Sequence, residues 1–323
     1  MTFKRAIVTA VGPLRIMIDG DTGAIPFTPE SLIDPATLAV GDVVHAKLSG
    51  NLLIVLGRSG GLGLLSGRNL FINSNFMVNQ RGAVSGALIA TLAYFLDRWF
   101  NAGGGTTTTT WADSGGVRTI TLGDGTGLRY ADQIVEASTL PAGTYTASWE
   151  GTAELYIFVK NPVYADSPVT FTTDGTADVK FQFHGNGDTL RNVKLERGSV
   201  ATPYQPPTYD DNLRACMRYH QRFSGGNGVR FANGFFTSTT GFRMTVPLFV
   251  QLRSTTPTLT YSSLSIYDGA TIFVITALVT GGSGVPIVNV AWLSATVSGA
   301  TAYRPAEVFG NSAASFIALD AEL

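Results

Sequence analysis

Glu150 and Glu154 bracket a turn expected after Trp149. Paired carboxylates across a hairpin are what a glycan-cleaving site uses, one as proton donor and one as base or nucleophile. Two solvated acids at a turn give the same pattern, so the pair alone names no reaction. Trp111, Tyr130, Tyr156 and Tyr164 fall near loops or on strand faces that a core does not obviously need. Sugars present C–H faces that stack on such rings, which makes these four the candidate ligand-binding residues of a shallow glycan site, with plain core packing as the alternative for each. The three histidines, His45, His184 and His220, lie in three different expected units, so no metal cluster is expected. Cys-x-x-Cys, His-Glu-x-x-His and Gly-Lys-Ser/Thr patterns are missing from the sequence, and the glycine runs at 103–105 and 281–284 lack the strand-to-helix setting of a phosphate cradle. The chain therefore reads as non-enzymatic, with no catalytic residue, no metal and no cofactor. Cys216 is the one cysteine and falls on an apolar helix side, the position of a buried thiol rather than a nucleophile.

What must hold such residues in place is a scaffold poor in charge. Only 14% of the 323 residues are charged, against roughly 25% in an ordinary soluble domain, and 37 are glycine. The shortage is greatest in 224–323, which contain Arg230, Arg243, Arg253, Arg304, Asp268, Glu307, Asp320, Glu322 and no lysine. A surface facing water on all sides normally carries more, so much of this end is expected to be covered by other subunits; a tightly packed β-domain with a hydroxyl-rich surface is the alternative. The net charge of −1 and the lack of a basic block argue against nucleic acid as a partner. No charged-then-apolar leader pattern opens the sequence, and no stretch approaches the roughly 20 apolar residues of a membrane span, so no membrane insertion is expected.

Turn signals and alternation divide the chain into β units. Residues 1–58 give five short strands with a long, proline-marked connection before the fourth, the pattern of an OB-like small barrel. Its basic and acidic residues balance, which favours docking to a neighbouring protein over binding a single strand. Residues 59–68 are a Gly-rich linker. In 69–205, seven or eight strands at regular spacing predict a jelly-roll β-sandwich; Tyr145, Ala147 and Trp149 share its core face, and Thr144, Thr146 and Ser148 the wet one. The five threonines 106–110 predict extended backbone. Pro203, Pro206 and Pro207 end that domain, and 194–223 read as a hinge. Thr208 and Asp211 form a capping box that opens a helix over 206–223, with Leu213, Cys216, Met217, His220 and Phe223 along one side and Arg214, Arg218 and Arg222 on another. A second β-sandwich follows in 224–323, its last strand running to the chain end, so deleting the final six residues is expected to abolish soluble expression; a folded truncation contradicts this.

Two stretches resemble a known family. Asn69-Leu-Phe-Ile-Asn-Ser-Asn-Phe76, with Gln80-Arg-Gly82 and Asp97-Arg-Trp99, is similar to the opening of many phage tail and tail-fibre proteins. Leu195-Glu196, Gly198 to Pro203 and Cys216-Met-Arg-Tyr-His-Gln221 resemble a later segment of the same proteins, with His220 where tyrosine is commoner. Together the two frame residues 69–223. From the residues themselves, Asn69, Asn73 and Asn75 suit strand-end caps, Arg81 and Arg98 could pair with Asp97 or backbone carbonyls, and Trp99 suits the core.

The resemblance implies a virion structural protein at the distal end of the tail, with a carbohydrate-module-like sandwich and a trailing β-domain as its tip. The expected protein is a tail-fibre or tail-tip component that attaches to host-surface glycans as a homotrimer. Residues 1–58 would act as its adaptor to other tail or baseplate proteins. It would be made in the host cytoplasm and be extracellular on the mature virion. A tail-borne polysaccharide depolymerase and a purely architectural collar or baseplate subunit are the competing readings.

Overall fold

The computed structural model describes residues 2–18, 23–26, 28–31, 43–49, 52–58, 69–103, 105–115, 117–123, 129–160, 162–281 and 290–322. The expected linker 59–68 lies outside them. Contacts divide the chain into two units, 1–68 and 69–323.

The first unit has strands β1 (Thr2–Val11), β2 (Leu14–Ile18), β3 (Glu30–Ser31), β4 (Val43–Ser49) and β5 (Leu52–Arg58) in one sheet of order β2-β1-β4-β5-β3. All its pairings are antiparallel except β3 with β5. This is the partly open Greek-key arrangement of an OB-like barrel. Alternation carries Ala6, Val8, Val44, Ala46, Leu53 and Val55 inward to its core, where they join Leu14 and Ile16.

The second unit begins with β6 (Leu88–Ile89), β7 (Tyr94–Leu96), β8 (Trp99–Phe100), β9 (Thr107–Ser114), β10 (Val117–Leu122), β11 (Arg129–Val135), β12 (Gly143–Gly151), β13 (Glu154–Phe158), β14 (Val163–Ala165), β15 (Val169–Thr173), β16 (Val179–Gly185) and β17 (Asp188–Arg197). They form two six-stranded sheets, β15-β12-β17-β10-β9-β6 and β14-β13-β16-β11-β8-β7. From β10 onward the chain passes back and forth between the sheets, which makes the antiparallel double Greek key of a jelly roll. The threonine run lies in β9, as expected. Between the sheets Trp99 is fully buried, 4.8 Å from Phe76 and 5.9 Å from Phe183 ring to ring, and its Nε1 donates to Asn73 O at 2.9 Å. Tyr145, Ala147 and Trp149 face this core as predicted. Thr146 corrects the other half of that expectation: it is 2% exposed, because residues near Gly198 cover it and its hydroxyl donates to Gly198 O.

The helix is shorter than the sequence suggests. α1 runs Tyr209–Met217, with Thr208 as its cap accepting from Asp211 N at 3.2 Å. His220, Arg222 and Phe223, expected on the helix, belong instead to β18 (His220–Gly225), which pairs with the last strand. The helix side that is buried most deeply is led by Asn212 and Cys216. Burial raises the Cys216 thiol pKa well above its usual value.

The rest of the chain adds β19 (Arg230–Phe236), β20 (Gly241–Pro247), β21 (Thr258–Ser262), β22 (Leu264–Tyr267), β23 (Ile272–Val274), β24 (Ala277–Thr280), β25 (Val290–Thr296), β26 (Pro305–Gly310) and β27 (Ser315–Asp320). A three-stranded sheet, β18-β27-β21, packs on a seven-stranded one, β23-β22-β26-β19-β20-β25-β24, and closes a second sandwich. Ile317 and Leu319 of β27 enter its core, consistent with the expectation that the final strand is integral. On the outer face of the larger sheet Phe235, Ile272, Val274, Val279 and Trp292 are exposed. The scarce charges here are mostly neutralised: Arg230 pairs with Glu307 at 2.7 Å and Arg304 with Asp268 at 3.0 Å.

The segment that reads as a hinge is pinned by buried polar contacts. Asn212 accepts from Asn73 N and donates to Asn75. Gln80 bonds Asp97 and His220 O. Arg81 and Arg98 do not pair with Asp97; Arg81 reaches Asp320 at 2.6 Å and Glu322 at 3.1 Å, while Arg98 pairs with Glu322 and donates to Ile134 O. The Arg98 guanidinium also lies 3.6 Å over the Tyr219 ring. Glu136 gathers Tyr219 OH, Arg218 and Arg253. Gln80, Arg81 and Arg98 thus fasten the jelly roll to the second sandwich.

Candidate functional site

The outer face of the sheet segment β14-β13-β16-β11 carries the candidate site. Two-residue alternation sends Leu155, Ile157, Phe181, Phe183 and Ala131 into the core and leaves Glu154, Tyr156, Gln182, His184, Tyr130 and Asp132 on the opposite face. Register then lines them up in two rows. Glu154 lies opposite His184, and His184 opposite Tyr130; Tyr164 lies opposite Tyr156, Tyr156 opposite Gln182, and Gln182 opposite Asp132. With about 4.8 Å between strands, four strands give a patch about 15 Å across.

Three of the four aromatic residues picked from the sequence therefore share one surface. Tyr164 stacks on His184 at 4.6 Å, Tyr156 meets Tyr164 edge-on at 6.2 Å, and Tyr130 lies 6.4 Å from His184. Tyr164 is 54% exposed, enough for its ring to meet a ligand. Tyr130 lies against Gly103, where a Cβ would come within 2.6 Å of its ring, so this position needs glycine to admit the tyrosine. Trp111 is elsewhere: it lies on β9 of the other sheet, half-buried, with Arg118 5.6 Å from its ring.

The polar groups have defined partners. Tyr164 OH donates to Glu154 at 2.6 Å, which pushes its pKa up to about 12. Burial lowers the pKa of His184, with Glu154 and Asp188 opposing, so its imidazole is neutral at pH 7. Asp132 accepts from Gln182 Nε2 at 2.9 Å and from Ala102 N at 3.1 Å, yet burial dominates and raises its pKa to about 7. Glu150 and Glu154 are not brought together. The connection after β12 crosses to the other sheet rather than forming a hairpin, and Glu150 pairs with Arg191 at 2.8 Å. Asp132, Gln182 and His184 were not among the sequence candidates, although the alternation of 179–184 already sets Lys180, Gln182 and His184 on one side.

Asp132 gives a pH prediction. Its carboxyl is harder to ionise in the folded protein than in the unfolded chain, so stability falls as pH rises from about 4 to 7 and then levels off. Asp132→Asn is expected to flatten that slope and to stabilise the protein at pH 8, by at most about 4 kcal/mol. Unfolding curves at pH 5 and 8 check this; an unchanged difference between the two contradicts it.

An open hollow of about 330 Å³ lies on the second sandwich, lined by Asn233, Tyr267, Asp268, Pro305 and Glu307 among others. Its carboxylates are engaged by Arg304 and Arg230, and it gathers one aromatic ring, so the tyrosine face is the stronger candidate. No family model matches the chain, and no curated protein matches it.

Proposed function

We propose that this chain is a structural protein of a phage tail fibre or tail tip that attaches to the host surface by binding envelope glycans. The observation that carries the reading is the convergence of Tyr130, Tyr156 and Tyr164 on one outer face, beside the hydrogen-bonding groups of Glu154 and Gln182. Flat aromatic faces interleaved with such groups suit pyranose rings, which offer C–H bonds on one side and hydroxyls at the rim. Binding is favoured over cleavage: the Asp132 carboxyl is fully buried and held by Gln182 and Ala102, so it does not stand with Glu154 as a hydrolytic pair across a sugar bond.

The OB-like barrel serves as the adaptor to other tail or baseplate proteins. The exposed apolar face of the seven-stranded sheet, with its neighbouring charges paired off, is covered by other copies in a homotrimer. The protein is made in the host cytoplasm and works on the outside of the mature virion.

Purified protein is expected to bind host cells, and Tyr156→Ala with Tyr164→Ala to weaken that binding about tenfold or more. Unchanged binding by the double variant contradicts the reading. Release of reducing sugar from the host envelope by the purified protein would favour a depolymerase, and failure of the wild type to bind cells would favour an architectural subunit.

A further inference from the structure

We propose that the tyrosine face sorts glycans by charge, taking neutral and amino-bearing chains and rejecting those that carry carboxylate or sulfate groups. This rests on the glycan-binding reading and names the class of ligand within it.

Glu154 stands at the centre of the exposed end, its side chain 45% exposed and held by Tyr164 OH. Asp166 and Asp188 lie close enough to act on Tyr164 and His184 respectively, and both are acidic. Asp132 sits in the second row, with its oxygens on Gln182 and Ala102. His184 is 3% exposed and neutral, so it offers no cation at pH 7. Lys180 is the cation on this face among the described residues; it is one row further along, with its ammonium 3.8 Å over the Phe158 ring. Arg129 precedes Tyr130 and by alternation belongs to the other face, with its stem close against Gly123.

A glycan carboxylate laid on Tyr164 would lose water beside Glu154, while Lys180, the cation of this face, is drawn over Phe158 a row further along. An ammonium in the same place would meet a carboxylate and the negative faces of the tyrosine rings. Discrimination here comes from a built-in repulsion as much as from attraction. The net charge of −1 is too small for bulk attraction to mimic the effect.

The test is retention of the full chain on immobilised hydroxyethylcellulose, dextran, chitosan, alginate and polygalacturonate at low and moderate salt. Neutral and amine-bearing polymers are expected to retain it at least about tenfold more tightly than the acidic ones. Glu154→Gln should narrow the gap by improving retention on the acidic polymers. Equal or tighter retention on alginate or polygalacturonate, or an unchanged gap in the variant, overturns charge selection and leaves glycan binding standing. Retention on none of the five overturns both.

Discussion

Replacing Glu322 by alanine is expected to destabilise the 69–323 unit by about 3–5 kcal/mol, the usual cost of stranding a buried charge. Arg98 is 2% exposed and Glu322 5%, so removing the carboxylate leaves the Arg98 guanidinium in the protein with Ile134 O as its remaining oxygen partner. Arg81 loses one of its two acids as well, keeping Asp320. Changing both ends of the main pair, Arg98→Met with Glu322→Leu, removes the stranded charge and should recover most of the loss. Asp320 adds a pH dependence to the same joint. Burial opposes its ionisation, but His220 and Arg81 outweigh that and hold its pKa well below the ordinary range. His220 Nδ1 lies 3.3 Å from an Asp320 carboxylate oxygen. The stabilisation is complete above the unfolded carboxyl's pKa near 4 and is lost as pH falls below it. Urea unfolding of the full chain measures these effects; a loss below about 1 kcal/mol for Glu322→Ala contradicts the account of the joint.

A loss of similar size, about 3–5 kcal/mol, is expected for Lys194→Met. Lys194 and Glu196 lie two residues apart on β17, on the face opposite the core residues Val193 and Leu195. They are 2% and 1% exposed and 3.2 Å apart. Lys194 Nζ also bonds Thr202 and Pro203 O, while Glu196 takes the N–H and hydroxyl of Thr202. The pair thereby ties the segment that leads into the proline cluster down onto the sheet. Without the lysine, Glu196 is left a buried anion and the segment loses its anchor. Limited proteolysis should then cut between 198 and 207 before the rest of the chain, and Lys194→Met with Glu196→Leu should restore stability but not that protection. Resistance of the single variant equal to wild type would show the tie to be unimportant.

Much of the scaffold was legible because its signals are local. Alternation in 143–149 and 179–183, with turn residues between runs, placed the strands of the jelly roll, and the long connection before β4 identified the barrel. Errors arose where local and tertiary preferences disagree. Arg214, Arg218 and Arg222 repeat every fourth residue, so the helix was extended over a segment that pairing with β27 holds as strand. β19 contains Gly234 and β26 opens on Pro305, residues poorly suited to strands, so these two strands of the larger sheet carry weak local signals. The site was legible as residue types but not as an arrangement. Tyr130 and Tyr164 converge only because β11 and β14 belong to one sheet, and that is decided by pairing across tens of residues. The same pairing leaves Trp111 on the other sheet and separates Glu150 from Glu154.

Electron microscopy of phage particles labelled with gold-conjugated antibody against residues 69–323 tests the central claim most directly. Gold is expected at the distal end of the tail, on its fibres or tip, and incubation with the same antibody should block adsorption to host cells. Intact particles that carry no label while the free protein accumulates in lysate would contradict it.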